Sequence, residues 1–195
     1  MNEIKNKLFF ILALLMAIVI VTSNYLVQFP IKYFNLEKIL TYGAFSYPIS
    51  FLITDLSNRR YGKQAARKIV YFGFILGVLA TFYFSINYSG LISMRIAFGS
   101  GIAFLSAQLI DVNIFDKLRH KIWFAAPLIS SLAGSTIDTF LFFSISFYGT
   151  GVNWITLSFG DLFVKIFVAL AMLIPFRLLL YRIQEISSIN KKINV

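Results

Sequence analysis

The sequence predicts an all-α integral membrane protein with six transmembrane helices and both termini cytoplasmic. Three observations lead there. Apolar and aromatic residues fill 58% of the 195 positions and charged residues only 13%, against about 45–50% and about 25% in soluble domains. A soluble globule of this size has no interior large enough to hide that much apolar surface. The charges stand at the ends of apolar runs, and lysine and arginine favour alternate ends of those runs. A span takes about 20 residues, so one six-span domain occupies residues 1–195. A two-half transporter of about twelve spans does not fit.

Charge-free stretches set each span. Lys7 to Lys32 sets the first, about 8–30. A signal peptide begins the same way, but no small-x-small cleavage site follows and the apolar run continues past Tyr25, so this span is expected to be retained. Lys38 to Asp55 sets the second, about 39–57, and Lys68 to Arg95 the third, about 69–93. Arg95 to Asp111 gives a short fourth, 95–111, with those two residues at its ends. Lys121 to Asp161 is too long for one span. The turn signal Tyr148-Gly-Thr-Gly-Val-Asn153 divides it into a fifth, 122–148, and a sixth, 154–181. Pro48, Pro127 and Pro175 lie in or beside spans, where kinks are tolerated. Ala13/Ala17, Gly73/Gly77, Ala97/Gly101 and Ser130/Gly134 are small pairs four apart, suited to close helix packing inside a bundle.

Orientation follows from basic residues. With the N-terminus inside, fourteen lysines and arginines fall on the cytoplasmic side and three outside (Lys32, Lys38 and Arg95), with Lys165 inside a span. The net charge of +10 is therefore a topology signal, and no basic arm suggests nucleic acid.

Ionisable and amide groups within spans are costly and mark candidate sites. Asn24 and Gln28 share a face of the first span, Tyr42 and Phe45 lie in the second, Asp138 in the fifth, and Asp161 and Lys165 share a face of the sixth. Counted along the chain at about 1.5 Å per residue, all reach the outer half of the membrane. One polar, aromatic-lined cavity open outward accounts for them together. The plainer alternative is an Asp161–Lys165 structural ion pair with Asn24 and Gln28 as interhelical hydrogen bonds. Asp138 has no basic neighbour in sequence and is the residue least explained by structure alone. Carboxylates that accept paired N–H donors, amides and stacking rings suit a planar nitrogenous solute; amino acids or cations fit the same set. A second polar layer, Asp55 and Asn58 after the second span with Gln108 and Asp111 ending the fourth, reads either as helix ends at the interface or as an inner gate.

Several chemistries are missing. There is no phosphate-binding G-x-x-x-x-G-K-[ST] loop. The chain has no cysteine, and its one histidine, His120, sits between Arg119 and Lys121 and is expected to be solvated, so no metal site is expected. Phe159-Gly-Asp161 faintly matches an intramembrane aspartyl protease motif, but Ser158 replaces its first glycine and Lys165 keeps Asp161 charged. No enzyme and no cofactor are expected.

Ser23-Asn-Tyr-Leu-Val-Gln28, Thr41-Tyr-Gly-Ala-Phe-Ser-Tyr-Pro48 with Thr54-Asp-Leu56 and Tyr61-Gly62, Gln108-Leu-Ile-Asp-Val112, Ala126-Pro127 with Asp138-Thr139, and Asp161 with Lys165 run in order over about residues 20–170. Together they resemble the queuosine-precursor transporter family, also called the vitamin uptake transporter family. The resemblance implies an importer of 7-deazaguanines, chiefly 7-cyano-7-deazaguanine, multi-pass in the bacterial inner membrane and serving salvage for tRNA modification. By that analogy Asp138 or Asp161 accepts the ring N–H donors, Asn24 and Gln28 meet the carbonyl or cyano edge, and Tyr42 or Phe45 stacks. The expected partners are the solute and the lipid bilayer, with a homo-oligomer left open. A self-sufficient carrier is one reading. The other is the substrate-capture subunit of an energy-coupling-factor importer, which docks energising subunits through a small-residue face such as Ala13 and Ala17.

Overall fold

Apolar periodicity becomes seven α-helices in the computed structural model, which describes residues 2–38, 40–88 and 91–193, with side chains described over 9–33, 36–37, 40–83, 86 and 94–181. The helices are α1 (Asn2–Leu26), α2 (Gly43–Ser46), α3 (Pro48–Tyr61), α4 (Lys63–Tyr88), α5 (Leu91–Leu118), α6 (Ala125–Phe147) and α7 (Trp154–Ile193). No named strand occurs among the described residues. Among the described residues five helices, α1, α4, α5, α6 and α7, are long and apolar enough to cross a membrane. Their outward faces carry exposed rings and branched side chains, such as Phe10, Phe98, Phe163 and Ile174, as a bilayer requires. The side chains of Lys5, Lys7, Lys38, Arg182, Lys191 and Lys192, counted above for orientation, lie outside the described residues, as does Ile39.

The expected second span falls on α2 and α3 rather than on one long helix. Pro48 has no N–H to donate, so the hydrogen-bond ladder breaks there. Tyr47 nevertheless keeps helical angles (φ −61°, ψ −40°), and its N–H reaches Gly43 O at 3.2 Å. The chain therefore keeps helical backbone angles across the break, the kind of site at which proline kinks a helix. α3 is the hub of the bundle: it packs against α1, α4, α5, α6 and α7.

Helix ends depart from the charge-free limits. A basic loop is expected between the second and third spans, yet only Gly62 separates α3 from α4. Its left-handed φ of 85° makes that one-residue turn. Arg59, Arg60, Lys63, Arg67 and Lys68 all stand on helix instead. The fourth span is also longer than its charge-free core, so Asp111 is not at a helix end but seven residues inside α5. Helices continue past the apolar stretch because nothing in a lysine or arginine stops a helix, and long basic side chains reach the interface from inside it.

Close packing uses the small residues. A Cβ on Gly73 would lie 2.6 Å from Met16 Cβ, and one on Gly77 2.9 Å from Ile20 Cβ, so α1 and α4 touch backbone to side chain. Ala13 and Ala17 are buried, and Ala13 O faces Gly73 in the same contact. On α6, a Cβ on Gly134 would lie 2.6 Å from the Phe51 ring of α3.

Candidate functional site

The kink sets the site. Between Phe29 and Tyr42 the chain folds back on itself, with Ile31 N–H on Leu40 O and Tyr42 N–H on Phe29 O. Gly43 then comes so close to Val27 that any side chain there would meet its backbone at 3.0 Å. One turn on, Tyr47 enters the bundle and is buried, while Tyr42 and Phe45 are 40% and 47% exposed. A pocket closes around Tyr47, lined by Asn24 of α1, Ser100 of α5, Asp138 and Phe142 of α6, and Asp161 and Lys165 of α7.

Its charged floor comes from two neighbouring helices. Lys165 Nζ lies 2.6 Å from Asp161 Oδ2 and 2.9 Å from Asp138 Oδ2, and donates to Thr139 Oγ1 at 3.1 Å. All three donors of the ammonium are thereby used. Thr139 Oγ1 also donates to Asp161 Oδ2 at 2.9 Å. The Tyr47 ring faces the ammonium 4.9 Å away, an additional cation–π attraction. Side chains of the ion pairs are about 4% exposed. Two carboxylates against one ammonium leave the cluster one negative charge in excess when all are ionised. Lys165 takes only Oδ2 of each aspartate, so the Oδ1 atoms stay outside the ion pairs. Asp138 thus has a basic partner after all: Lys165, 27 positions away in the chain, which the one-helix neighbourhood of the sequence does not show.

The opposite wall is neutral and polar. Asn24 Nδ2 donates to Thr81 Oγ1 at 3.2 Å, and Ser100 Oγ donates to Asn24 Oδ1 at 2.5 Å. One amide therefore ties α1 to α4 and α5. Gln28 does not line the pocket; its Nε2 donates to Asn24 O at 3.2 Å. The structure brings Asn24, Asp138, Asp161 and Lys165 together and leaves Tyr42 and Phe45 outside. Tyr47 and Phe142 supply the rings instead. Sequence spacing carries a signal for Tyr47, since it falls four residues after Gly43 on one helical face. The free volume is about 20 Å³, room for one water and far less than a nucleobase.

The second polar layer is buried rather than interfacial. Thr54 Oγ1 donates to Gln108 Oε1 at 2.5 Å, Gln108 Nε2 to Ser50 Oγ at 2.8 Å, and Ser50 Oγ to Tyr47 O at 2.7 Å. Asn58 Nδ2 donates to Val112 O at 3.0 Å. Asp55 accepts from Ser130 and Ser131 Oγ, each at 3.3 Å, with Asp111 beside it. The carbonyls ending α3 are capped by Arg119, which donates to Asn58 O and Arg59 O at 3.0 and 3.3 Å, favourable at a helix C-terminus. His120 is exposed, as expected.

A bundle of long apolar helices around a buried charged pocket defines a multi-pass membrane protein. The chain belongs to the vitamin uptake transporter family, whose model matches residues 41–180. It is 33% identical to the queuosine precursor transporter of Escherichia coli, over 95% of this chain and 94% of the relative. It is 32% identical to the probable queuosine precursor transporter of Haemophilus influenzae, over 80% and 79% of the two chains. With the probable queuosine precursor transporter of Bacillus subtilis it shares 29% over 66% and 65%. No solved structure matches the chain.

Proposed function

We propose that this protein imports 7-deazaguanine precursors of queuosine, 7-cyano-7-deazaguanine first among them, across the bacterial inner membrane. The observation that carries the reading is the convergence of Asp138, Asp161, Lys165, Asn24 and Tyr47 on one buried pocket. A guanine-like edge presents adjacent N–H donors, and the Oδ1 atoms of Asp138 and Asp161 are acceptors outside the ion pairs. The Asn24 amide offers both a donor and an acceptor to the carbonyl or cyano edge. Tyr47 offers a face for the flat ring. The names of the relatives agree with this solute class.

The pocket as it stands is too small for a bicyclic base, so the solute enters only when the walls part. The kink at Pro48 is the natural hinge. Gly43 to Tyr61 spans 19 residues, about 28 Å of helix, close to the roughly 30 Å of hydrocarbon. We read α2 and α3 together as a sixth span, broken at the site as carrier helices are. On this six-span reading, the basic residues near Gly62 and His120 support cytoplasmic termini, and the Asp138 pocket would then face outward.

The reading is of a carrier that needs no energising subunit. Ala13 and Ala17, the face on which a capture subunit would dock, are buried within this chain, Ala13 against Gly73 of α4. The test is a bacterium that neither makes nor imports queuosine precursors, given this gene alone and nanomolar 7-cyano-7-deazaguanine. Restored queuosine in tRNA supports the carrier. Its absence, with the protein confirmed in the membrane, counts against it.

A further inference from the structure

A second buried carboxyl site lies along α3, about two helical turns beyond Tyr47. Asp55 of α3 and Asp111 of α5 are 2% and 0% exposed and lie side by side. Asp55 has the hydroxyls of Ser130 and Ser131 on its two oxygens. Asp111 sits beside Ser130 as well, yet neither of its oxygens accepts a hydrogen bond in good geometry. Ser135 Oγ, fully buried and also without a partner, lines the same cavity as Asp55 and Ser131. That cavity holds about 10 Å³, too little for a solute and at the limit for a single water.

No cation among the described residues answers these two acids. Among the described residues neither takes part in a salt bridge. The surrounding cations are engaged elsewhere: Arg59 and Arg119 on backbone carbonyls, Arg67 on Asn113 Oδ1 at 2.9 Å, and Arg177 over the Trp123 ring at 4.5 Å. Lys68 of α4 and Lys117 of α5 are exposed, and the α7 residues that line the cavity are apolar: Ala169, Met172, Leu173 and Phe176. Two carboxylates held together without a cation cannot both stay charged. A proton on Asp111 turns one of its two unpartnered oxygens into a donor, with Asp55 as its acceptor.

We propose that Asp55 and Asp111 form a proton-binding pair that takes up and releases one proton in each transport cycle, making solute uptake proton-driven. The proposal rests on the transport reading above. A hydrogen-bonded ladder joins the two sites: Asp55 follows Thr54, which holds Gln108, which holds Ser50, which is tied to the carbonyl of Tyr47 in the solute pocket. Charging the pair pushes α3 from α5, and α3 carries the kink.

Two measurements test it. The first needs no solute. Infrared difference spectra of the purified protein in lipid, taken across pH, report protonated carboxyl groups directly. A carboxyl band present at neutral pH is expected in the wild type and in Glu37→Gln, whose side chain is exposed, and lost in Asp111→Asn. No such band in the wild type, or its persistence in both Asp111→Asn and Asp55→Asn, overturns the pair. The second uses proteoliposomes and labelled 7-cyano-7-deazaguanine. Exchange at equal pH reports on the solute reading; accumulation under a pH gradient reports on the pair. One unit of gradient should raise accumulation about tenfold for one proton per solute. Asp111→Asn should keep exchange and lose that rise. Wild-type exchange with no rise, a rise that follows sodium instead of pH, or a rise that survives in Asp111→Asn each overturns the proposal. No exchange at all would sink the solute reading and leave the infrared result to decide the pair.

Discussion

Lys165 Nζ of α7 bridges Asp161, one turn away on its own helix at 2.6 Å, and Asp138 on the preceding helix α6 at 2.9 Å. This ammonium pins α6 to α7 and forms one wall of the pocket proposed for the solute. On the proposed function, structure and transport rest on the same atom.

Removing that ammonium separates the two roles. Lys165→Met leaves both aspartates buried without a cation, and breaking a buried pair costs about 3–5 kcal/mol. The thermal midpoint of the purified variant should fall well below wild type. Lys165→Arg keeps the charge and most of the stability but not the compact geometry, so it should fold and transport poorly. Thermal unfolding followed by uptake checks both.

Asn24 is expected to matter for the same double reason. Asn24→Ala removes the acceptor of the buried Ser100 hydroxyl and the amide donor to Thr81, whose own bond to Gly77 O stays. The cost is about 1–3 kcal/mol, so most of the protein should still insert. Solute affinity should fall more than expression does, which a binding curve normalised to inserted protein reads.

The rings give a sharper contrast. Tyr47→Phe should keep stacking and most uptake, and Tyr47→Leu should lose most of it. Tyr42→Ala and Phe45→Ala, both on the exposed side of the chain, should transport near wild type. Reversal of that order in uptake assays places the stacking ring on α2 rather than at the kink.

Much of this arrangement is legible in the sequence, and the reasons for the rest are physical. Long charge-free runs identify the five long helices because a bilayer tolerates little else. Depth along each run brings Asn24, Asp138, Asp161 and Lys165 to one level, since the rise per residue is constant. Rotation is harder: Tyr42 and Phe45 share a depth with Tyr47 but not its direction. Partners between helices, such as Lys165 with Asp138, are tertiary facts that periodicity does not hold. Asp111 reads as a helix end because its charge closes an apolar run, whereas the helix continues around it.

Topology offers a clean test because the chain has no cysteine. Tyr148→Cys and His120→Cys place single thiols at exposed positions in turns at opposite ends of α6. A membrane-impermeant maleimide applied to intact cells whose outer membrane is opened should label the first and spare the second until the inner membrane is breached. The opposite pattern contradicts the cytoplasmic assignment of the termini.

Tight packing yields one prediction about the bundle. Gly77→Val drives new methyl groups into Ile20, and overpacking costs about 1–3 kcal/mol. The variant should unfold at lower temperature, while Ala17→Ser, a change of one atom, should leave uptake unchanged and argue against a docking face there.

Binding of 7-cyano-7-deazaguanine to the purified protein in lipid, by isothermal titration, tests the central claim most directly. Wild-type protein should bind one equivalent per chain, and Asp138→Asn, inserted at normal levels, should lose at least about tenfold in affinity, the equivalent of one charge-assisted hydrogen bond. Equal affinity in wild type and in both Asp138→Asn and Asp161→Asn would contradict the claim that this pocket is where the solute is held.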